Sequence, residues 1–172
     1  MTASTNRIIH SVERLRREFP QQVRIEAADP VTRAAYATVL QEWLTNGTSP
    51  KPRVTRLHSL NKLVEQDALV ESESGLGCYP FSAVETGITV DYGVHRVHAM
   101  CAIDALTIPF LANTAATIIA TCSVCELPVR VQTDAVGQIT QAIPAGAHVA
   151  YRKLAQEHVA CSKDLCPGIV FV

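Results

Sequence analysis

The sequence lacks a net charge of either sign, because its 15 Lys and Arg residues nearly balance its 16 Asp and Glu residues. A near-neutral chain has no overall field that would attract nucleic acid or an anionic membrane surface. Internal repeats and low-complexity segments are also absent from the sequence. In contrast, 48% of the 172 residues are hydrophobic, which is enough to bury a core. These features indicate a globular protein of one domain or two small ones.

The sequence also lacks export and membrane signals. Charged residues interrupt the apolar residues of the N-terminus, which therefore does not resemble a secretory signal. The uncharged run at 105–125 contains Pro109, Asn113 and four threonines, and it favours a core helix followed by a core strand over a membrane span. We therefore expect a cytoplasmic protein without membrane contact. In that compartment, the six cysteines are expected to be free thiols, metal ligands or catalytic thiolates.

Helical periodicity predicts three helices in the N-terminal part, over residues 8–19, 30–46 and 54–64. Asp29 and Pro30 supply a cap and a first helical position for the second of them. A strand, a polar turn and a second strand are predicted from the segment ALVESESGLGCYPFS at 68–82. Three helices and a two-stranded wing predict a winged-helix-like domain at residues 1–75.

This domain has one candidate DNA-binding feature. Four cations lie on or near the third predicted helix: Lys51, Arg53, Arg56 and Lys62. The alternative is an ordinary solvated face, and four scattered cations in a neutral protein are a weak electrostatic footprint. DNA is therefore retained only as an alternative partner.

The second part, residues 76–172, contains all six cysteines and a pattern of short strands. A helix is predicted over 101–112, another over about 147–159, and a final strand over 168–172. Strands are predicted at 76–82, 87–91, 94–99, 115–122, 127–132 and 137–141. The expected fold class is α+β: the winged-helix-like domain followed by a mixed or antiparallel sheet with flanking helices.

Cys101 and Asp104 lie at the predicted start of the 101–112 helix. A helix N-terminus lowers the pKa of a thiol, because unpaired backbone N–H groups and the positive end of the helix dipole lie nearby. Residues three apart share a helix face, so the thiol and the carboxylate can address one bound atom. The alternative is a buried cysteine used as a small hydrophobe and an aspartate that binds first-turn amides.

The segment RVHAMCAIDALTIPFLANTAATIIATC at 96–122 resembles the catalytic core of the organomercurial (alkylmercury) lyase family. The segment AIPAGAHVAY resembles a second part of the family pattern, and CPGIVFV resembles the segment that carries the second mercury-binding thiol, here Cys166. Met100 stands where the family has an aromatic residue, and the chain stops at Val172, short of the family's length, so part of the substrate wall is expected to be missing. Positions that match the core pattern are Cys101, Ala102, Asp104, Leu106, Pro109, Leu111 and Cys122.

The resemblance implies a lyase that breaks carbon–mercury bonds by protonolysis. Cys101 and Cys166 would bind the mercury, for which sulfur is the preferred ligand, and Asp104 would relay a proton to the departing carbon. The metal would leave on external thiols, and no cofactor is required. Cys122 would be structural.

The cysteine spacing also supports a different interpretation, a structural zinc site. Cys122 and Cys125 form C-x-x-C, while Cys161 and Cys166 form C-x4-C. Two close pairs on separate segments are typical of tetrahedral zinc. Such a site would occupy Cys166 and exclude it from catalysis. The alternative function is therefore a non-catalytic zinc or soft-metal binding protein, or a thiol-based metal sensor, of the same fold.

Overall fold

The computed structural model describes residues 21–50, 57–151 and 161–172, together with His10, Glu13 and Arg17. The predicted helix over 8–19 lies outside these ranges apart from those three residues, which are helical. The described chain combines helices with an antiparallel sheet, so the predicted α+β class is confirmed. None of its described helices has the length and hydropathy needed to cross a membrane.

Within residues 21–65, as far as they are described, three helices precede the sheet: α1 (Gln21–Ala27), α2 (Pro30–Asn46) and α3 (Leu57–Glu65). Helix α2 begins and ends as predicted. Asp29 accepts a hydrogen bond from the backbone N–H of Thr32 at 2.9 Å, and Gly47 adopts the left-handed φ of 64° that ends the helix. Helix α1 was not predicted.

Helices α2 and α3 are joined by an ion pair between Lys62 Nζ and Asp29 Oδ2, 2.7 Å apart. The Lys62 ammonium, with Thr32, holds the pKa of the Asp29 carboxyl well below its usual range. Lys62 is the described member of the predicted cationic group, and its charge is thus neutralised within the protein. The other three cations lie outside the described residues, and DNA binding stays a prediction.

The main sheet has eight antiparallel strands, in the spatial order β1-β2-β3-β5-β4-β6-β7-β8. A separate two-stranded sheet pairs β9 with β10. The strands are β1 (Leu69–Ser72), β2 (Gly75–Cys78), β3 (Phe81–Ser82), β4 (Thr89–Tyr92), β5 (His95–Ala99), β6 (Ala116–Thr121), β7 (Pro128–Thr133), β8 (Ile139–Ile143), β9 (Val149–Tyr151) and β10 (Ile169–Phe171).

The strands predicted as a wing form one edge of this sheet. Leu69 of β1 pairs with Cys78 of β2, and Cys78 pairs onward with Phe81 of β3. Helix α2 packs on the same region, because Trp43 stacks on Phe81 at a ring-centroid distance of 5.4 Å and its Nε1–H donates to the Leu76 carbonyl at 3.0 Å. The predicted domain boundary after residue 75 falls within the β1–β2 hairpin, and the division into two domains stays a prediction.

The C-terminal region corrects one sequence prediction. The helix expected over about 147–159 is wrong at its start, because residues 149–151 form strand β9. Val149 pairs with Phe171 and Tyr151 with Ile169, so pairing with the last strand outcompetes the local helical pattern. Residues 152–160 lie outside the described part. The predicted final strand is confirmed as β10.

Helix α4 (Ala102–Ala112) follows β5 and contacts strands β4, β5, β6 and β10. Ala102, Ala105 and Ile108 are completely buried along its inner face. The helix therefore lies between the main sheet and the C-terminal strand, and its N-terminus faces the turn that precedes β10. This packing places Cys101 and Asp104, at the helix N-terminus, beside Cys166 in that turn.

Two adjacent isoleucines of strand β6 illustrate how successive side chains point to opposite faces of the sheet. Ile118 is completely buried, whereas Ile119 is 38% exposed. We expect Ile118→Ala to lower the free energy of unfolding by about 2–5 kcal/mol through lost burial and a residual cavity. Ile119→Ala, as the matched control, should cost no more than about 1 kcal/mol. Urea unfolding measures both, and equal losses would contradict this assignment of strand faces.

Candidate functional site

Cys101 is the N-cap residue of helix α4. Its backbone is extended, with φ −156° and ψ −179°, and its sulfur accepts a hydrogen bond from the backbone N–H of Asp104 at 3.5 Å. The predicted helix start is therefore confirmed, and the thiol lies at the positive end of the helix dipole. Because the preceding strand β5 ends at Ala99, the β5–α4 connection fixes the position of the sulfur.

Asp104 lies one turn into helix α4, and two thiols converge on one oxygen of its carboxylate. Cys101 Sγ donates to Asp104 Oδ2 at 3.0 Å. Cys166 Sγ lies 3.9 Å from the same oxygen, across 62 residues of sequence. One carboxylate oxygen thus faces the sulfurs of both thiols.

Cys166 reaches this position from the short 3-10 turn Cys166–Gly168, which leads directly into β10. Since β10 packs against helix α4, the turn comes to lie beside the helix N-terminus. The ligand atoms of Cys101, Asp104 and Cys166 all lie within 4.8 Å of one another. Among the described His, Cys, Asp and Glu residues, this is the one group of three or more so closely placed.

Burial and hydrogen bonds within the group together set the protonation of its three members. Burial raises the pKa of Asp104 to about 6, although hydrogen bonds from Cys101 and Cys166 oppose the shift. A hydrogen bond from Cys166 favours the Cys101 thiolate, yet burial and the Asp104 charge together raise the pKa of Cys101. Hydrogen bonding to Cys101 and Cys161, with burial, also raises the pKa of Cys166. At neutral pH, two protonated thiols therefore face one carboxylate.

Comparisons with known proteins identify the family and the fold. A family model described as "MerB: Alkylmercury lyase" matches residues 81–172, which is more than half of the chain and includes every member of the group. The chain belongs to the alkylmercury lyase family. The structure is also similar to "Crystal structure of the mercury-bound form of MerB2", with a TM-score of 0.72 and 13% identity, over 90% of this chain and 79% of that chain. No curated protein matches the sequence.

A third thiol, that of Cys161, lies next to the Cys101, Asp104 and Cys166 group. Cys161 Sγ is 3.9 Å from Cys166 Sγ, at the start of a π-helical turn over Cys161–Leu165. The backbone N–H of Cys161 donates to the carboxylate of Asp67, which also accepts a hydrogen bond from the hydroxyl of Tyr79 at 3.4 Å. The sequence offered only the C-x4-C spacing as a sign of this proximity.

The N-terminal part contributes Tyr36 of helix α2, which sequence reasoning missed. Its hydroxyl donates to the Tyr79 carbonyl at 3.4 Å. Burial, with the nearby Cys78 thiol and the Asp104 charge, raises the pKa of Tyr36 above its usual value. Tyr36 is therefore a neutral hydroxyl near the carboxylate. Nothing in its sequence neighbourhood indicates this long-range contact.

Met100, which the family resemblance aligns with an aromatic residue, is partly buried and packs against the core next to Cys101. A Cβ atom added at Gly77 would lie 2.6 Å from Met100 Cε, so Gly77 leaves the space that the methionine fills. A flexible thioether side chain adapts well to such an irregular gap. The Met100 side chain thus packs against strand β2 at Gly77.

The four cysteines of the predicted zinc site are not assembled into one site. Cys161 and Cys166 are adjacent, but Cys122 and Cys125 lie on the turn after β6 and share no compact group with them among the described residues. On that turn, Cys125 is exposed and its backbone N–H donates to the buried Cys122 sulfur at 3.5 Å. The residues as placed do not fit tetrahedral zinc, and the zinc content of the protein stays a prediction.

The raised pKa of Asp104 predicts a pH dependence of stability. Between the ordinary aspartate value of 3.8 and about 6, the unfolded chain releases a proton that the folded chain retains. The free energy of unfolding should therefore fall as pH rises through this window. The expected fall is about 2 kcal/mol, because Asp104 is only partly buried and solvent screens part of the effect. Asp104→Asn should lack this component. Urea unfolding from pH 4 to 7 checks it, and identical pH profiles for the two proteins would contradict the raised pKa.

Proposed function

We propose that this protein cleaves the carbon–mercury bond of organomercurials by protonolysis. The observation that carries the proposal is the convergence of Cys101 and Cys166 on one carboxylate oxygen of Asp104, with all ligand atoms within 4.8 Å. Soft thiolates are the ligands that mercury prefers, and a carboxyl group is a proton donor of suitable strength. Membership of the alkylmercury lyase family supports the same chemistry.

Mercury enters the site as part of the organomercurial substrate. In the first step it binds to a cysteine sulfur. The Cys101 thiol is hydrogen-bonded to Asp104 Oδ2 at 3.0 Å, so the formation of a sulfur–mercury bond transfers the thiol proton to that oxygen. Cys166 then binds the mercury as a second thiolate in place of the ligand that accompanied the organomercurial, and the Cys166 proton leaves with that ligand. Electron donation from two sulfurs weakens the bond between mercury and carbon.

The second step is delivery of the proton to carbon. Asp104, now protonated, donates to the carbon as the carbon–mercury bond breaks, and the electron pair of that bond forms the new C–H bond. Hydrocarbon leaves, and Hg(II) remains on the two thiolates with no change in its oxidation state. Burial of Asp104 aids this step, because a pKa of about 6 lets the carboxyl both accept and release a proton near neutral pH.

The third step is transfer of Hg(II) to external thiols, such as small cytoplasmic thiols, which regenerates both cysteines. No cofactor takes part in any step. The chemical class of the substrate is an organomercurial, alkyl or aryl. In the cell, we place the reaction in the cytoplasm, where reduced thiols are abundant.

Replacing the proton relay should separate metal binding from cleavage. In Asp104→Asn, both thiols remain, so the protein should still bind mercury. Hydrocarbon release should fall by about 100-fold or more, because general acid catalysis is lost. Gas-chromatographic detection of hydrocarbon from a simple organomercurial, with reduced protein, measures the rate.

Two further variants make this test specific. Asp91→Asn is the matched control, since Asp91 forms an ion pair with Arg96 on the exposed side of β4 and should leave the rate unchanged. Cys101→Ser should abolish hydrocarbon release, because it removes the capturing thiol. Unchanged turnover in Asp104→Asn or in Cys101→Ser would overturn the proposed function.

A second function, non-catalytic zinc or soft-metal binding, is favoured by the Cys122–Cys125 turn. Here the backbone N–H groups of Cys125 and Val124 lower the pKa of the Cys122 thiol, as in turns that present paired thiolates to a metal. A protein of this type would act as a thiol-based sensor rather than as a lyase.

Metal analysis distinguishes this second function. If it holds, the purified protein should contain near-stoichiometric zinc, and Cys125→Ser should lose it, because the change removes one thiolate of the Cys122–Cys125 turn. Mass spectrometry under native conditions reports the bound metal. Metal-free protein that releases hydrocarbon would eliminate the zinc function.

A further inference from the structure

The cleavage steps leave one thiol of the cluster without a role. Cys161 Sγ lies 3.9 Å from Cys166 Sγ, but it is not within 4.8 Å of all members of the Cys101, Asp104 and Cys166 group. Cys166 is therefore shared by two pairs: an inner pair with Cys101 and an outer pair with Cys161. A two-thiolate site for a soft metal requires no more than such a pair.

The position of Cys161 is fixed by the fold. Its backbone N–H is bound by the carboxylate of Asp67, which lies between α3 and β1 and has a left-handed φ of 56°. Asp67 also binds the Tyr79 hydroxyl, so the anchor is connected to the main sheet. The π-helical turn then places Cys161 and Cys166 five residues apart with their sulfurs in contact.

Accessibility increases from the inner pair to the outer one. Cys101 is 3% exposed, Cys166 is 5% exposed and Cys161 is 9% exposed. Lys163, two residues beyond Cys161, is exposed to solvent. All three thiols are buried, and the outer pair contains the least deeply buried of them.

We propose that Cys161 and Cys166 form a second Hg(II) site, to which the product passes from the Cys101–Cys166 pair. This inference rests on the proposed function for its place in the reaction. As the Cys161 Sγ–Hg bond forms, the Cys101 Sγ–Hg bond breaks, and the proton lost by the Cys161 thiol is balanced by one gained at Cys101 Sγ. No oxidation state changes. The transfer restores the Cys101 thiol, and release of Hg(II) from the outer pair to an external thiol then frees Cys166 for another substrate molecule.

The deciding experiment uses Hg(II) chloride alone, so it does not depend on cleavage. All proteins carry Cys125→Ser, which removes the exposed thiol that would compete for metal. The affinity for Hg(II) is measured by competition with a small dithiol for Cys101→Ser and for Cys101→Ser/Cys161→Ser. Of the three cluster thiols, the first variant retains the outer pair, whereas the second retains only Cys166. We expect the double variant to bind at least about 100-fold more weakly, because it loses chelation by a second thiolate.

Kinetics provide the second readout. Cys161→Ser should release hydrocarbon in a single turnover within about twofold of its parent, but multiple turnovers with limiting external thiol should slow by about tenfold, because product release is impaired. Ser162→Ala is the matched control on the same turn, with every thiol of the cluster intact, and it should keep the parent's release rate. Circular dichroism establishes that each variant is folded.

The outcomes separate this inference from the proposed function. Equal Hg(II) affinities for the Cys101→Ser protein and its Cys161→Ser double variant would overturn the second site, even if the parent protein releases hydrocarbon. Absence of hydrocarbon release from every protein, together with the expected affinity difference, would overturn the lyase and leave the outer pair as a soft-metal site.

Discussion

The packing of strand β10 against helix α4 is the contact on which the site depends. Cys101 and Asp104 are neighbours within one helical turn, so local structure alone brings them together. Cys166 joins them only because the turn before β10 lies against that helix. Strand β10 is in turn paired with β9, so the second sheet holds the turn in place. The geometry of the site therefore depends on a strand of three residues staying packed against helix α4.

How much of this could be predicted follows from the sequence separation of the contacts. Helix α2 and the start of helix α4 were predictable, because caps and helical periodicity are local signals. The pairing of β9 with β10 was missed since a short apolar segment fits a helix or a strand until its partner is known. The pairing of Cys166 with Cys101 was predicted only through the family resemblance. The contact of Tyr36 with the site region, across two halves of the chain, leaves no local signal.

Cysteine spacing was a poor guide to geometry for the same reason. The C-x-x-C and C-x4-C pairs each form locally, as the 3.5 Å contact within Cys122–Cys125 and the 3.9 Å contact within Cys161–Cys166 show. Whether two pairs meet depends on the path of the chain between them. Here the chain forms strands β7, β8 and β9 between the two pairs. The Cys122–Cys125 pair and the Cys161–Cys166 pair then share no compact group among the described residues. Spacing therefore indicates which cysteines lie close together locally, but it does not indicate whether four of them share one centre.

The charge of the buried group explains why a thiol and a carboxylate are placed together rather than two thiolates alone. At rest, the proton lies on Cys101 and the negative charge on Asp104. When a metal binds the sulfur, the proton moves to Asp104 and the charge moves to the thiolate, which the N–H of the helix terminus stabilises. The pair carries one negative charge in both states. A second buried charge would be costly, and transfer over the 3.0 Å hydrogen bond avoids it. The acid needed at carbon is thus generated by the same event that binds the metal.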